Sequence, residues 1–223
     1  MTMTYALIPG SGGSAWYWHR VTPLLPDAIA IDLPADDDSA DLNRYADTVC
    51  NAVAGAAEPL VLVAQSMGAF TAPIVASRVP TASIVLVNPM VPRAGESPGQ
   101  WWEVTGQREA RIAYFKRIGL GRTDFDTFED FFHDVPDAVR DEALRQGEPE
   151  QSDTPFGQPW PLDRWPDVPT RVIQGSDDRC FPLDFQRRVV RERLGLEVEV
   201  MPGGHLMALS RPEELASRIH ARV

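Results

Sequence analysis

Cysteine is scarce: Cys50 and Cys180 are the two in the chain, too few and too far apart for a disulfide framework or a thiolate metal site. Both are expected to be free thiols, and no metal or organic cofactor is expected. No apolar run approaches the roughly 18 residues that a membrane span needs. The start, Met1-Thr2-Met3-Thr4-Tyr5, lacks a basic stretch ahead of its short apolar run, so no export signal is expected. The reading is a cytoplasmic chain without membrane partners. Lysine is nearly missing, Lys116 being the sole example, and basic residues are outnumbered, with Lys+Arg 21 against Asp+Glu 32 and a net charge of −11. Acidic clusters such as Asp36-Asp37-Asp38 repel phosphate backbones and anionic lipid, which argues against nucleic acid as a partner. Internal repeats and low-complexity tracts are missing too. With 43% hydrophobic and 24% charged residues, the chain has the make-up of a soluble globular protein, and its 223 residues are enough to bury a substantial core.

What is present is an alternation. Tyr5-Ala6-Leu7-Ile8 reads as a buried strand, followed by a Gly-rich turn over Pro9 to Ser14 and a helix near Trp16 to Leu25. A second strand, Ala28 to Ile31, ends at Asp32, and Ser39 to Ala57 has apolar positions at helical spacing. Leu60 to Ala64 and Ser83 to Val87 are continuous apolar runs, suited to strands buried on both faces. Between them a helix is predicted to begin at Ser66. From Pro89 to about Pro169 no β-run appears, while prolines, glycines and aromatics are dense. The alternation resumes with Arg171 to Gln174, a helix near Leu183 to Leu194, the strand Glu197 to Met201 and a last helix from Pro212. The pattern predicts an α/β fold with a mostly parallel sheet of about six strands flanked by helices. Its core comprises 1–89 and 170–223, and 90–169 is a helical lid insertion.

Three segments carry chemistry. Ala64-Gln65-Ser66-Met67-Gly68 stands between an apolar strand and a helix, where a Ser on a sharp turn projects its hydroxyl into the cleft at the strand's carboxyl end. Crowding there requires small residues two before and two after it, a demand that Ala64 and Gly68 meet. After the predicted strand ending at Gln174 come Asp177 and Asp178, one of which is expected to face inward and the other solvent. After the last predicted strand comes Met201-Pro202-Gly203-Gly204-His205. Of the four histidines, His220 falls in the final helix, His133 in the insertion and His19 in the first helix, leaving His205 as the candidate base. A Ser nucleophile, a His base and a carboxylate that orients the imidazole are the parts of covalent acyl transfer. Such a reaction also needs two backbone N–H groups aimed at the developing oxyanion. Met67 and the Pro9-Gly10-Ser11-Gly12-Gly13 loop are the candidates, with Ser11 as the second donor and Gly10 permitting close approach. That loop lacks both Gly-x-Gly-x-x-Gly and a Gly-Lys-Ser/Thr ending, so it is not read as a nucleotide site.

Together these segments resemble the α/β-hydrolase superfamily, in particular its methylesterase and hydroxynitrile lyase branch. The chain order Ser, Asp, His is that of α/β-hydrolases, and in that fold a Gly-x-x-Asp-x-x-x-Pro pattern, here Gly175 to Pro182, supplies the carboxylate. This selects Asp178, with Asp177 as the alternative. Some relatives carry the acid after the preceding core strand, where this chain has Asn88. Leu7 to Trp18 is similar to the branch's first strand and oxyanion loop, and Gly204 to Leu215 to its His loop and last helix. Two departures bear on chemistry. Pro9 stands where the branch usually has His, and Leu206 follows the catalytic His where the lyases place Lys, with Gly10 where they tend to have Thr. The resemblance therefore implies hydrolysis of a small, fairly apolar carboxylic ester, thioester or lactone, rather than a lyase. The other alternative is a ligand-binding receptor or scaffold of low turnover. The substrate is a small acyl compound, and Trp101 and Trp102 are candidate pocket residues beside Gly10.

Overall fold

The computed structural model describes residues 3–221. Strand β1 (Tyr5–Ile8) is followed by β2 (Ala28–Ala30), helix α1 (Leu42–Ala52), β3 (Leu60–Gln65), α2 (Gly68–Ala76) and β4 (Thr81–Val87). Five helices then intervene before the next strand: α3 (Pro98–Val104), α4 (Gln107–Arg117), α5 (Thr127–Phe131), α6 (Asp137–Gln146) and α7 (Thr154–Gly157). The chain returns to the sheet with β5 (Thr170–Gly175), α8 (Leu183–Leu194) and β6 (Glu199–Met201), and closes with α9 (Met207–Ser210) and α10 (Pro212–His220). The six strands lie in the order β2-β1-β3-β4-β5-β6, and every neighbouring pair is parallel.

Parallel strands joined by helical crossovers are covered on both faces, which explains their unbroken apolar runs. Along β3, Leu60, Leu62 and Ala64 join one core cluster with α1, α2 and α8, while Val61 and Val63 join a second with Trp18, Leu215 and Ile219. The order reverses at β1, which has β2 on one side and β3 on the other. In open α/β sheets such a reversal opens a crevice at the carboxyl ends of the strands, and the loops after β1 and β3 are those that hold Gly10 and Ser66.

Two predicted elements differ. The helix expected near Trp16 to Leu25 is instead a pair of short 3-10 turns, Ala15–Trp18 and Thr22–Leu24. Pro23 lacks the N–H that would continue an α-helical ladder, and burying Trp18 completely suits the tighter turn. The helix expected from Ser66 begins at Gly68, because Ser66 itself is not in a helical conformation. The insertion is stitched to the sheet layer at several points. Trp160 donates its indole N–H to the Phe70 carbonyl at 3.0 Å, Ser152 N–H donates to the Ala35 carbonyl at 2.7 Å, and Arg193 Nη2 reaches Glu96 Oε1 at 2.9 Å. No helix among the described residues is long and apolar enough to cross a membrane.

Candidate active site

Ser66 occupies the turn between β3 and α2 with φ +50°, a left-handed conformation that costs a non-glycine residue energy and persists only where its surroundings enforce it. They do so here. Ser66 N–H donates to the Val87 carbonyl at 3.0 Å, while its own carbonyl accepts from Ala69 N–H at 3.1 Å and Met90 N–H at 2.9 Å. Close packing explains the small residues around it. A Cβ built on Gly68 would lie 2.6 Å from the Pro9 carbonyl oxygen, and one on Gly10 would lie 2.3 Å from Gln65 Oε1 and 3.0 Å from Ser66 Cβ. The loop after β1 is thus pressed directly against the turn that holds Ser66. Ala64 is fully buried near the end of β3.

The loop after β5 separates its two aspartates as expected. Asp178 is fully buried and accepts from His205 Nδ1 at 2.8 Å through Oδ2. Its other oxygen, Oδ1, accepts the main-chain N–H groups of Cys180 at 2.8 Å and Phe181 at 2.9 Å. Asp177 is exposed, and its carboxylate accepts from the Ser176 hydroxyl at 2.7 Å and Gly203 N–H at 3.2 Å. The two residues therefore do different work: Asp178 meets the imidazole, and Asp177 ties its loop to the one after β6. His205 is itself 3% exposed. Its ring is stacked on Phe131 at 5.0 Å between centroids and meets Phe181 edge-on at 4.9 Å.

Among the described residues, no internal acceptor takes the main-chain N–H of Met67 or of Ser11. Ser11 is exposed, and its hydroxyl donates to Gln151 Oε1 at 3.3 Å, which also accepts Gly12 N–H at 2.9 Å. The loop that carries Ser11 is therefore held from outside by Gln151 of the insertion.

Four residues that the motifs did not single out for the site frame it. Asn88, fully buried at φ +44°, donates from Nδ2 to the carbonyls of Gly204 and His205 at 3.0 Å each, and accepts Gly175 N–H at 2.8 Å. One amide thereby joins the loops after β4, β5 and β6. Gln65 Nε2 reaches the His205 carbonyl at 3.5 Å. Asp134 in the insertion accepts Gly204 N–H at 2.8 Å, and Phe131 supplies the ring stacked on the imidazole. Burial pushes the pKa of the neighbouring His133 down, against the opposing pull of Asp134. Burial likewise raises the Cys180 thiol, with the Asp178 charge adding to it, so this thiol is a packing group rather than a nucleophile. The sequence offered a signal only for Asn88, which stands where some relatives carry the acid.

The aromatic pair corrects one expectation. Trp101 does not line a pocket: it is fully buried, donates its indole N–H to the Val91 carbonyl at 3.0 Å, and packs on Phe181 and Phe185. Side chains at adjacent helical positions diverge, and only Trp102 reaches the wall of a cavity of about 520 Å³ that is also bounded by Phe125, Phe131 and Cys180. Gly10 lies outside that wall, against Gln65.

The comparisons with known proteins agree with this architecture. A pyrethroid hydrolase from Sphingobium faniae JZ-2 superposes with a TM-score of 0.74 at 23% identity, over 99% of this chain and 97% of that one. Polyneuridine aldehyde esterase gives 0.76 at 18% identity, over 98% of each chain. An extracellular alpha/beta-hydrolase from a Paenibacillus species gives 0.73 at 16% identity, over 96% of each. No curated protein matches at the level of sequence. The profile of the alpha/beta hydrolase family, however, matches residues 6–218, nearly the whole length, and the chain belongs to that family.

Proposed function

We propose that this protein is a serine esterase that works through an acyl-enzyme on Ser66. The observation that carries the proposal is the buried 2.8 Å bond between His205 Nδ1 and Asp178 Oδ2. Donation from Nδ1 fixes the imidazole tautomer and leaves the Nε2 lone pair free to accept the Ser66 proton. With Oδ1 occupied by two amides, Asp178 presents Oδ2 to the ring and stabilises the imidazolium as it forms. Ser66 attacks the acyl carbon, and the N–H groups of Met67 and Ser11 receive the oxyanion. His205 then passes its proton to the departing alkoxide or thiolate, and a water activated by the same nitrogen releases the acid. Phe131 and Phe181 limit access of bulk solvent to the imidazole, and the 90–169 insertion acts as the lid over the cleft. That the similar folds include an esterase and a hydrolase supports ester cleavage as the reaction.

The test is turnover of short p-nitrophenyl esters together with fluorophosphonate labelling and peptide mapping. The expected result is label on Ser66, and a loss of at least about 10³-fold in kcat for Ser66→Ala and His205→Ala, with melting temperatures near that of the parent. Near-normal turnover in either folded variant overturns the proposal.

A further inference from the structure

A cavity bounded by Phe131, the residue whose ring stacks on His205, contains a cation that the esterase reading leaves without a task. Arg111, on α4, is 8% exposed and forms part of the cavity wall. Its guanidinium lies over the rings of Phe115 and Phe125, at 5.3 and 5.5 Å from their centroids. A single hydrogen bond, from Nη1 to the Thr123 carbonyl at 2.9 Å, engages a group that has five N–H donors. Among the described residues it has no carboxylate partner. The nearest obvious one, the fully buried Asp130, is already saturated: it takes two bonds from Arg122, at 2.5 and 2.8 Å, one from Arg179 at 3.5 Å and one from Asp126 N–H at 2.9 Å. The charge of Asp130 acts on Arg111 without a contact ion pair, and largely burying a cation that has no carboxylate in contact is costly. A cation left so beside an open cavity is placed to receive its counter-charge from a ligand.

Resting on the esterase reading, we infer that the preferred substrates are esters or thioesters whose acyl part ends in a free carboxylate, and that Arg111 receives that carboxylate. The cavity and the candidate catalytic site share Phe131, whose ring is stacked on His205, and Cys180, whose N–H bonds Asp178. The remaining charged groups of the wall, Glu103, Arg108 and Glu109, are exposed and so are screened by solvent within about 8 Å at physiological salt. The buried Arg111 is not. Apolar walls from Trp102, Phe125 and Phe131 suit a methylene chain. One largely buried guanidinium matches the single charge of a carboxylate. The chain's net charge of −11 gives no general attraction for anions, so any preference for one must come from a local site.

The experiment compares p-nitrophenyl butyrate, valerate and hexanoate with the mono-p-nitrophenyl esters of succinate, glutarate and adipate, which match them in chain length but end in a carboxylate. The expected kcat/KM is at least about tenfold higher for the carboxylate member at one or more chain lengths, as for a charge-assisted hydrogen bond. That ratio should fall towards one in Arg111→Gln and remain partly in Arg111→Lys, while Arg108→Gln keeps it. A purely structural Arg111 would alter both members of each pair alike, and that outcome, or neutral esters preferred at every length, overturns the inference. Binding is measured separately by calorimetry, titrating monomethyl glutarate and methyl valerate into Ser66→Ala protein and into the same protein carrying Arg111→Gln. If no ester of either kind is turned over, the esterase reading fails, and this titration alone decides: tighter binding of the acid that is lost with Arg111 upholds the carboxylate site, and equal binding refutes it.

Discussion

The division of labour between two adjacent aspartates is decided by their burial. Asp178 is fully buried and must be met by donors on both oxygens, whereas Asp177 lies at the surface and braces two loops. Removing the charge of Asp178 while keeping its shape, as in Asp178→Asn, places an amide opposite the imidazole and favours the wrong tautomer. The expected result is a fall in kcat of about 10³ to 10⁴-fold, against a change of a few-fold in Asp177→Asn, both read in steady-state ester assays. Asn88 bears on the same imidazole through the backbone. Replacing it with Leu strands the Gly204 carbonyl and the Gly175 N–H in the interior and leaves the His205 carbonyl only the 3.5 Å contact from Gln65, each buried group left unpaired costing about 1–3 kcal/mol. Chemical denaturation should show a loss of at least the lower figure, and kcat should fall with KM little changed, because the loop that moves carries His205, the proposed base. Asn88→Asp should do no better, since a carboxylate can accept from Gly175 N–H but has nothing to donate to the Gly204 and His205 carbonyls. At this scale the tight turn that holds Ser66 and the meeting of His205 with Asp178 follow segments that the sequence singled out, because the turn chemistry around each is local. Gln65 and Asp134 carried no such signal, since each acts on a segment distant in the chain, and Asn88 was marked only by standing where some relatives carry the acid, not for the contacts it makes.

Elements were legible where periodicity was strong. β1 and α8 run over the residues predicted, and β3, β4 and β5 extend one or two residues beyond them, since strands buried on both faces leave an apolar run with few readings. The stretch after β1 misled, because Trp16, Tyr17 and Trp18 have the look of a helix while Pro23 and the burial of Trp18 shape it into two tight turns. The insertion was legible as helical in character but not in detail, its short helices being fixed by tertiary contacts such as those of α5. The turn that follows α5 has a consequence for pH. His133 is held near Gly204 and Asp134, and burial lowers its pKa from the usual value near 6.5. The unfolded chain therefore binds the proton more readily, so this histidine's contribution is complete above about pH 6.5 and is lost as pH falls from there through the folded-state pKa. Urea midpoints measured from pH 7.5 down to 5 should drop more steeply for the parent than for His133→Gln. Superimposable pH profiles would show that this turn does not govern the acid sensitivity.

At the level of the molecule, the question is whether the insertion between β4 and β5 forms a separable unit. Composition alone suggested a boundary, because the β-runs stop near Pro89 and return near Pro169. The contacts point to integration. Glu96, just before α3, and Arg193, on α8, are 8% and 3% exposed in their side chains and meet in a two-pronged pair, with Arg193 Nη1 also bonding the Val91 carbonyl at 2.6 Å. Trp101 fills the space between α3 and α8 by packing on Phe185. An ion pair this deep contributes little when compared with apolar residues of similar size, but losing one member leaves an uncompensated buried charge that costs about 3–5 kcal/mol. Arg193→Met should therefore destabilise the whole protein by that order, and the double variant Glu96→Leu with Arg193→Met should recover most of the loss. Because the pair joins insertion to sheet layer, near-UV circular dichroism from the tryptophans, far-UV signal and ester turnover should all be lost in one coincident transition in each of these proteins. An early tryptophan transition that leaves the far-UV signal largely intact would mean instead that the insertion folds as its own unit on a preformed sheet.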